Sequence, residues 1–128
     1  MVRSGPERLA DAVVLANRDL PAARNSVRSL RRQALRVGDR RQAESCLAVL
    51  RLFASVTGDE AQESRLANKL VTERGEWFDL YWLGRVHERR GRLSEARSLY
   101  EQALRKCPRG DPDRHQVTSA IAALSKSI

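Results

Sequence analysis

Cysteine is scarce in this sequence. Among 128 residues there are only two, Cys46 and Cys107, which lie in separate helical patterns and lack CxxC spacing. Their spacing excludes a disulfide framework and a zinc ribbon as the basis of the fold. Long apolar runs are also absent, since "AVVLA" and "CLAVL" fall far short of the ~20 residues that cross a bilayer, and the N-terminus has no apolar signal-peptide core. We expect one soluble, cytoplasmic domain over residues 1–128.

Motifs for catalysis and cofactor binding are missing as well. The sequence has no glycine-rich phosphate loop, no His, Cys and Asp cluster with metal-ligand spacing, and no nucleophile beside a histidine partner. We expect His87 to pack at a helix interface and His115 to be solvated. The sequence therefore predicts no catalytic residue, no cofactor and no metal ion, and hence a protein that is not an enzyme.

Acidic residues are outnumbered by basic ones. The chain has 24 basic and 16 acidic residues, a formal net charge of +8, and all but three of the basic residues are arginine. An excess of this size favours anionic partners because it steers their encounter with the protein. Codon bias in a GC-rich genome also produces arginine, so a solvated basic surface without a specific anion site is the alternative.

Apolar residues recur at helical spacing along nearly the whole chain. No useful length alternates with the period of two that a half-buried strand requires, so the predicted fold class is all-α. Prolines and glycines separate the helical segments, and the short turns require successive helices to run antiparallel. The predicted helices are Pro6–Asp19, Pro21–Val37, Asp39–Val56, Asp59–Arg74, Glu76–Arg90, Leu93–Cys107 and Asp113–Ser127.

The stretch from Trp77 to Gly110 resembles one tetratricopeptide repeat (TPR). The matching residues are Leu80, Leu83, Gly84, Gly91, Ala96, Tyr100, Ala103 and Pro108, with His87 where the family usually has tyrosine. The resemblance implies a right-handed superhelical stack of three helical hairpins, at about 9–42, 43–76 and 77–110, followed by a capping helix at about 111–128. In the N-terminal half another pairing stays open, because "GDRRQAESCLAVL" also reads as a turn and second helix, which would pair the second predicted helix with the third.

Gly84 lies inside a predicted helix, where glycine costs roughly 1 kcal/mol relative to alanine. We predict that Gly84 and Ala96 are small because the two helices of the hairpin cross there, so that a Cβ at Gly84 would push the backbones apart.

The resemblance implies a concave groove, lined by the first helix of each hairpin, that binds peptides. On this frame Asn17, Arg51 and Arg85 occupy one groove-facing slot at intervals of 34 residues. Guanidinium groups bind carboxylates bidentately and aromatic rings add contact area, so we predict an interaction module for an acidic or carboxylate-bearing peptide. The predicted ligand-binding residues are Asn17, Arg51, Phe78, Tyr81, Arg85 and Arg89.

Three alternatives accompany this prediction. First, Arg51 and Arg85 could form ion pairs within the chain, with acids such as Glu44, Asp79 or Glu88. At least one of Tyr81 and Trp82 must also be buried in the core, because adjacent helical positions point about 100° apart. The ridge from Arg24 to Arg41, which includes Arg28, Arg32 and Arg36 at spacings of four, favours nucleic-acid backbone binding. Third, the protein could self-associate into a homo-oligomer. It could also act as bacterial secretion chaperones do, an alternative that rests only on a similarity of predicted fold.

Overall fold

The computed structural model describes residues 3–127, in which every helix or strand assigned is an α-helix. The predicted all-α class is confirmed, and most helix ends lie within one or two residues of their predicted positions. Within the described range, no helix combines the length and apolarity that a membrane span requires. The elements are α1 (Gly5–Leu15), α2 (Leu20–Arg36), α3 (Arg40–Thr57), α4 (Glu60–Glu73), α5 (Trp77–Arg89), α6 (Leu93–Lys106) and α7 (Arg114–Ser127).

The first helix is shorter than predicted, because Asp19 begins α2 instead of ending α1. The backbone N–H of Asp19 donates to the carbonyl of Leu15 at 2.9 Å and closes the last turn of α1. The Asp19 carboxylate then accepts a hydrogen bond from the N–H of Ala22 at 3.0 Å. A side-chain oxygen that satisfies a first-turn N–H stabilises a helix by about 1 kcal/mol, which favours a new helix start at this position.

Three of the turns share one hydrogen-bond pattern. Each contains a glycine with φ of 76°, 74° or 77°, a backbone conformation that residues with a Cβ avoid. The residue after the glycine donates its N–H to the carbonyl five positions earlier, as in the Schellman motif. After Gly38, Gly58 and Gly91 these bonds join Asp39 to Ala34 at 2.8 Å, Asp59 to Ala54 at 3.0 Å and Arg92 to His87 at 2.9 Å.

The chain forms two compact units, unit 1 (Met1–Leu66) and unit 2 (Ala67–Ile128), with the boundary inside α4. In unit 1, α2 and α3 pack most extensively, and α1 packs against both. The contact between α2 and α3 is compatible with the alternative pairing of these helices, while α1 also packs against α2, so the hairpin at about 9–42 stays a prediction. Buried apolar residues of unit 1 include Leu9, Ala12, Ala23, Val27, Ala34, Ala43, Cys46, Leu47, Leu50, Phe53 and Ala54.

In unit 2, α5 and α6 form a helical hairpin, and α7 packs against α6. The last helix contributes Val117, Ala120 and Leu124 to the same buried cluster as the apolar residues of the hairpin. Helix α7 therefore covers an apolar face of α6, which is what a stack of hairpins requires at its end. The hairpin residues of this cluster are Leu80, Tyr81, Ala96, Tyr100 and Ala103, and a second cluster joins Ala67, Leu83 and Val86.

Gly84 faces the ring of Tyr100, which fills the space that a side chain would occupy. A Cβ built on Gly84 would lie 2.6 Å from Cε1 and 2.8 Å from Cδ1 of Tyr100, distances at which one of the groups must move. Tyr100 is fully buried, and its hydroxyl donates to the Glu88 carboxylate at 2.6 Å. Gly84 is thus small, as predicted, but the group that requires it is an aromatic ring of α6 rather than the α6 backbone at Ala96.

Polar contacts hold the helix ends of unit 2. Asp79, buried at the start of α5, accepts two hydrogen bonds from Arg74, at 2.7 Å and 2.9 Å, and one from the N–H of Glu76 at 3.0 Å. Arg114 of α7 donates to the carbonyls of Leu104 and Cys107 at 3.1 Å and 2.7 Å, so it satisfies C-terminal groups of α6. Both sets of contacts lie at the open end of the hairpin, opposite the Gly91 turn.

Candidate functional site

Helix α5 carries a continuous row of side chains on its outer face. Phe78, Trp82, Arg85 and Arg89 follow one another at spacings of four, three and four residues, so they lie along one side of the helix. Phe78 is half-buried, whereas Trp82 is 40% exposed and both arginines are exposed. We call these four residues the α5 stripe; it places two aromatic rings and two guanidinium groups on one surface.

Tyr81 is predicted to lie on the ligand-binding surface, but Trp82 is exposed there instead. Tyr81 is only 8% exposed, and its ring lies 5.7 Å from that of Tyr100 in the core. It supports the stripe from beneath, because its ring packs edge-on against Trp82 at 5.3 Å. Gly84 could have shown this from the sequence: Tyr81 is three residues before Gly84, on the helix face that packs against α6.

The acids proposed as intramolecular partners of Arg85 are engaged elsewhere. Asp79 binds Arg74, whose guanidinium carbon also lies 4.8 Å from the ring centroid of Phe78. The Glu88 carboxylate accepts a hydrogen bond from the Tyr100 hydroxyl. Burial of Tyr100 is the main cause that raises its pKa above the ordinary value, and the contact with Glu88 is the second cause. Within residues 3–127 the Arg85 guanidinium forms no ion pair, so its charge is available to a partner.

The two predicted site residues of unit 1 have different surroundings. Asn17 is exposed, but it lies in the turn after α1 instead of on a helix. Arg51 is on α3, half-buried, and already has an interaction within the chain. The regular row of helical positions at intervals of 34 therefore ends before Asn17, because α1 stops at Leu15.

The basic ridge is a feature of α2 in unit 1. Arg28, Arg32 and Arg36 are exposed at spacings of four, and none of the three forms an ion pair in the described part of the chain. Arg24 and Arg31 on the same helix are half-buried, and Nε of Arg31 is buried without a hydrogen-bond partner among the described residues. Only part of the predicted Arg24 to Arg41 ridge is thus a free cationic surface.

The cysteines are both reduced and buried. Burial raises the pKa of the Cys46 thiol from 9.0 to about 11, an effect that nearby Arg31 partly offsets. A thiol with this pKa is almost entirely protonated at neutral pH and is a poor nucleophile or metal ligand. In residues 3–127, no group of three or more His, Cys, Asp or Glu side chains is placed to hold a metal ion.

Comparison with known protein families identifies one segment. The family model described as tetratricopeptide repeat matches residues 77–109, which contain α5, the Gly91 turn and α6. No curated protein and no solved structure gives a significant match to the chain. The resemblance is confirmed for the hairpin that carries the α5 stripe, about a quarter of the chain, and repeats of this family are typically non-enzymatic modules for protein–protein interaction.

Proposed function

We propose that this protein is a non-enzymatic interaction module that binds an acidic or carboxylate-bearing segment of a partner protein on the α5 stripe. The observation that carries the proposal is the coincidence of the TPR match with a helix face of two aromatic rings and two arginines. First helices of such repeats commonly contact peptides, and the α5 stripe lies on the first helix of this hairpin.

The side chains of the stripe suit a ligand with both charge and apolar area. Arg85 can form two parallel hydrogen bonds with a carboxylate, a geometry that a lysine cannot offer. Trp82 and Phe78 add apolar surface at low entropic cost because each ring has only two side-chain torsions. The Arg74 guanidinium on one face of Phe78 leaves Trp82 as the more accessible apolar anchor.

Three further predicted residues keep a place in the proposal. Tyr81 acts as a positioning residue beneath Trp82, since the two rings are in contact. Asn17 and Arg51 lie in unit 1 and stay predicted peptide contacts of that unit. Their substitution is expected to have a smaller effect than substitution of Arg85, because one lies in a turn and the other already has an interaction within the protein.

The proposal can be tested with a fluorescein-labelled peptide of alternating glutamate and leucine, followed by anisotropy. We expect the double substitution Arg85→Ala and Arg89→Ala to weaken binding by about tenfold or more, and Trp82→Ala to weaken it several-fold. The matched control is Arg97→Ala with Arg105→Ala, which removes the same charge from exposed positions on α6. Equal losses in the stripe variant and in this control would reduce the interaction to net charge and refute the assigned surface.

A second candidate function is binding of a nucleic-acid backbone on α2. It is favoured by Arg28, Arg32 and Arg36, which are exposed, evenly spaced and without ion pairs in the described residues. Binding of random single-stranded and duplex oligonucleotides at two salt concentrations tests this function, because each phosphate contact adds about 0.7 to 0.9 to the slope of log affinity against log salt. Replacement of the three arginines by alanine should abolish this binding and leave the acidic peptide bound.

A further inference from the structure

Helix α2 of unit 1 and helix α5 of unit 2 can be compared position by position, because the same turn follows each of them. The turn glycines, Gly38 and Gly91, have φ of 76° and 77° and lie 53 residues apart. In each unit the next helix packs against the helix before the turn. A shift of the α5 stripe by 53 residues gives its counterpart on α2, which we call the α2 row and which consists of Asn25, Ser29, Arg32 and Arg36.

The α2 row keeps the arginines of the α5 stripe and lacks its rings. Its last two residues are Arg32 and Arg36, and in both units the second arginine is the last residue of its helix. Its first two residues are Asn25 and Ser29, at the places where the stripe has its two aromatic side chains. All four residues of the row are exposed. Unit 1 therefore presents the cationic part of the stripe without the apolar part.

The side chains of the α2 row are available to a ligand. Among residues 3–127, none of the four has a hydrogen bond or an ion pair with another side chain or with the backbone. Thr72, Thr118 and Ser125 on other helices donate their hydroxyl hydrogens to a carbonyl three or four residues earlier. The Ser29 hydroxyl forms no such bond in the described part of the chain, so it remains a free donor, as does the Asn25 amide.

The charge of α2 favours a ligand with several negative charges close together. The helix contains five arginines and no acidic residue. Arg28, Arg32 and Arg36 lie four residues apart, a spacing at which like charges on a helix repel each other. Helix α5 differs, because it also contains Asp79 and Glu88. A nucleic-acid duplex carries one negative charge per about 1.7 Å of its axis, so its backbone can neutralise neighbouring arginines together.

We propose that the residues at positions 25 and 29 determine the ligand class of unit 1. With Asn25 and Ser29 in place of rings, the α2 row binds the phosphate backbone of a nucleic-acid strand and does not contact its bases. Arg28, Arg32 and Arg36 neutralise phosphates. Asn25 and Ser29 donate hydrogen bonds to phosphate oxygens, which position the strand but carry no sequence information. This inference rests on the second candidate function, and it adds the two residues that restrict binding to the backbone.

The probes are a fluorescein-labelled thymidine oligonucleotide and an abasic strand of the same length, which has the same phosphates but no bases. We expect the two strands to bind with affinities within about twofold of each other, because the row offers no ring on which a base can stack. Three phosphate contacts should give a slope of about 2 in log affinity against log salt for either strand. Clearly tighter binding of the thymidine strand would overturn the proposal, and so would equally tight binding of poly-glutamate of the same charge.

A double variant tests the polar half of the row. Asn25→Ala with Ser29→Ala removes two neutral donors, so we expect about threefold to tenfold weaker binding of the abasic strand with an unchanged salt slope. The matched control is Ser94→Ala with Ser98→Ala, at exposed positions on α6, which should bind as wild type does. Wild-type affinity in the Asn25 and Ser29 variant would overturn their assigned role. Circular dichroism verifies that each variant keeps its helices.

A gain of function tests the equivalence of the two surfaces. Ser29→Trp places a ring where α5 has Trp82, so the thymidine strand should bind this variant at least about fivefold more tightly than the abasic strand. The control Leu52→Trp adds a ring at an exposed position of α3 and should show no such preference. Equal binding of both strands by Ser29→Trp would overturn the equivalence. A wild-type protein that binds neither strand would refute the second candidate function together with this inference, whereas arginine-dependent binding that discriminates between the strands would refute this inference alone.

Discussion

The hairpins α2–α3 and α5–α6 have the same type of turn, but different side chains pack between their helices. Gly38 and Gly91 have φ of 76° and 77°, and the hydrogen bonds that follow them join equivalent positions 53 residues apart. With this offset, Ala43 matches Ala96 and Leu47 matches Tyr100, and all four are buried. The offset is not a multiple of 34, since α4 intervenes between the two hairpins.

The difference lies in one pair of packing positions. Where α5 has Gly84 against the ring of Tyr100, α2 has Arg31 and α3 has Leu47. Only the hairpin with the glycine and the aromatic ring matches the family model. The same Schellman turn therefore occurs in both hairpins, whereas the family pattern accompanies the close packing of Gly84 against Tyr100 in α5–α6.

Substitution of Asp79 and of Asp19 compares how much the contacts at the start of each hairpin contribute to stability, and Asp79→Ala should cause the greatest loss. Asp79→Ala removes both hydrogen bonds to Arg74 and one to the Glu76 N–H at a buried site, and we expect it to lower the free energy of unfolding of unit 2 by about 3 kcal/mol. Asp19→Ala removes one exposed cap from α2 and should lower that of unit 1 by about 1 kcal/mol.

Denaturant unfolding measures both effects, because all tryptophans and tyrosines lie in unit 2. Tryptophan fluorescence reports on unit 2, whereas circular dichroism reports on all helices. Similar losses for Asp79→Ala and Asp19→Ala would show that the Arg74 contact contributes nothing beyond ordinary capping.

Alkaline pH should expose a second difference, in unit 1. Because the folded-state pKa of Cys46 is raised from 9.0 to about 11, the stability linked to this thiol is complete below pH 9 and is lost as pH rises toward 11. The loss is about 2 to 3 kcal/mol for this interval under reducing conditions. Cys46→Ala should show a smaller decrease between pH 8 and pH 11 in urea unfolding followed by circular dichroism. An identical pH dependence in wild type and variant would contradict the prediction.

Packing of the α5–α6 hairpin can be tested at its glycine. Gly84→Ala gains helix propensity but brings a Cβ within 2.6 Å of the Tyr100 ring, so we expect a net loss of about 1 to 2 kcal/mol. Gly110→Ala is the control, since nothing lies within 4 Å of a Cβ at that position. Thermal unfolding followed by tryptophan fluorescence compares the two, and a Gly84→Ala variant as stable as wild type would show that the ring moves without difficulty.

The smallest expected effect tests the shared turn. Gly38→Ala and Gly91→Ala introduce a Cβ where φ is positive and no neighbour lies within 4 Å, so only the backbone conformation is penalised. Each should lose about 1 kcal/mol, and the two losses should agree within about 0.5 kcal/mol. Chemical denaturation followed by circular dichroism measures both, and clearly different losses would mean that the two turns are not equivalent.

Helix positions and the last hairpin were predictable because their causes are local. Apolar periodicity and positive-φ glycines act within a few residues, so six of the seven helices were predicted nearly to their ends. The family resemblance identified α5–α6 because the sizes of Gly84, Ala96 and Tyr100 reflect how closely the two helices pack. The early end of α1 was missed because Asp19 can end one helix or cap the next, and apolar spacing does not separate these two roles.

The candidate site was predictable only in part. Phe78, Arg85 and Arg89 follow from helical spacing, and all three lie on the α5 stripe. The choice between Tyr81 and Trp82 depends on which side of α5 meets α6. Gly84 marks that side, and Tyr81, three residues earlier, lies on it and contacts the Tyr100 ring.

The all-helical class, the positions of the turns and the family pattern of one hairpin could be predicted from the sequence, because hydrogen bonding and hydrophobic periodicity within a helix depend on near neighbours. The three-dimensional structure was needed to show that α2 and α3 pack more extensively than α1 and α2, and that the Tyr100 ring fills the space beside Gly84. These features depend on which distant side chains meet, and the free energies that separate the possible pairings are sums over many contacts that no short segment contains.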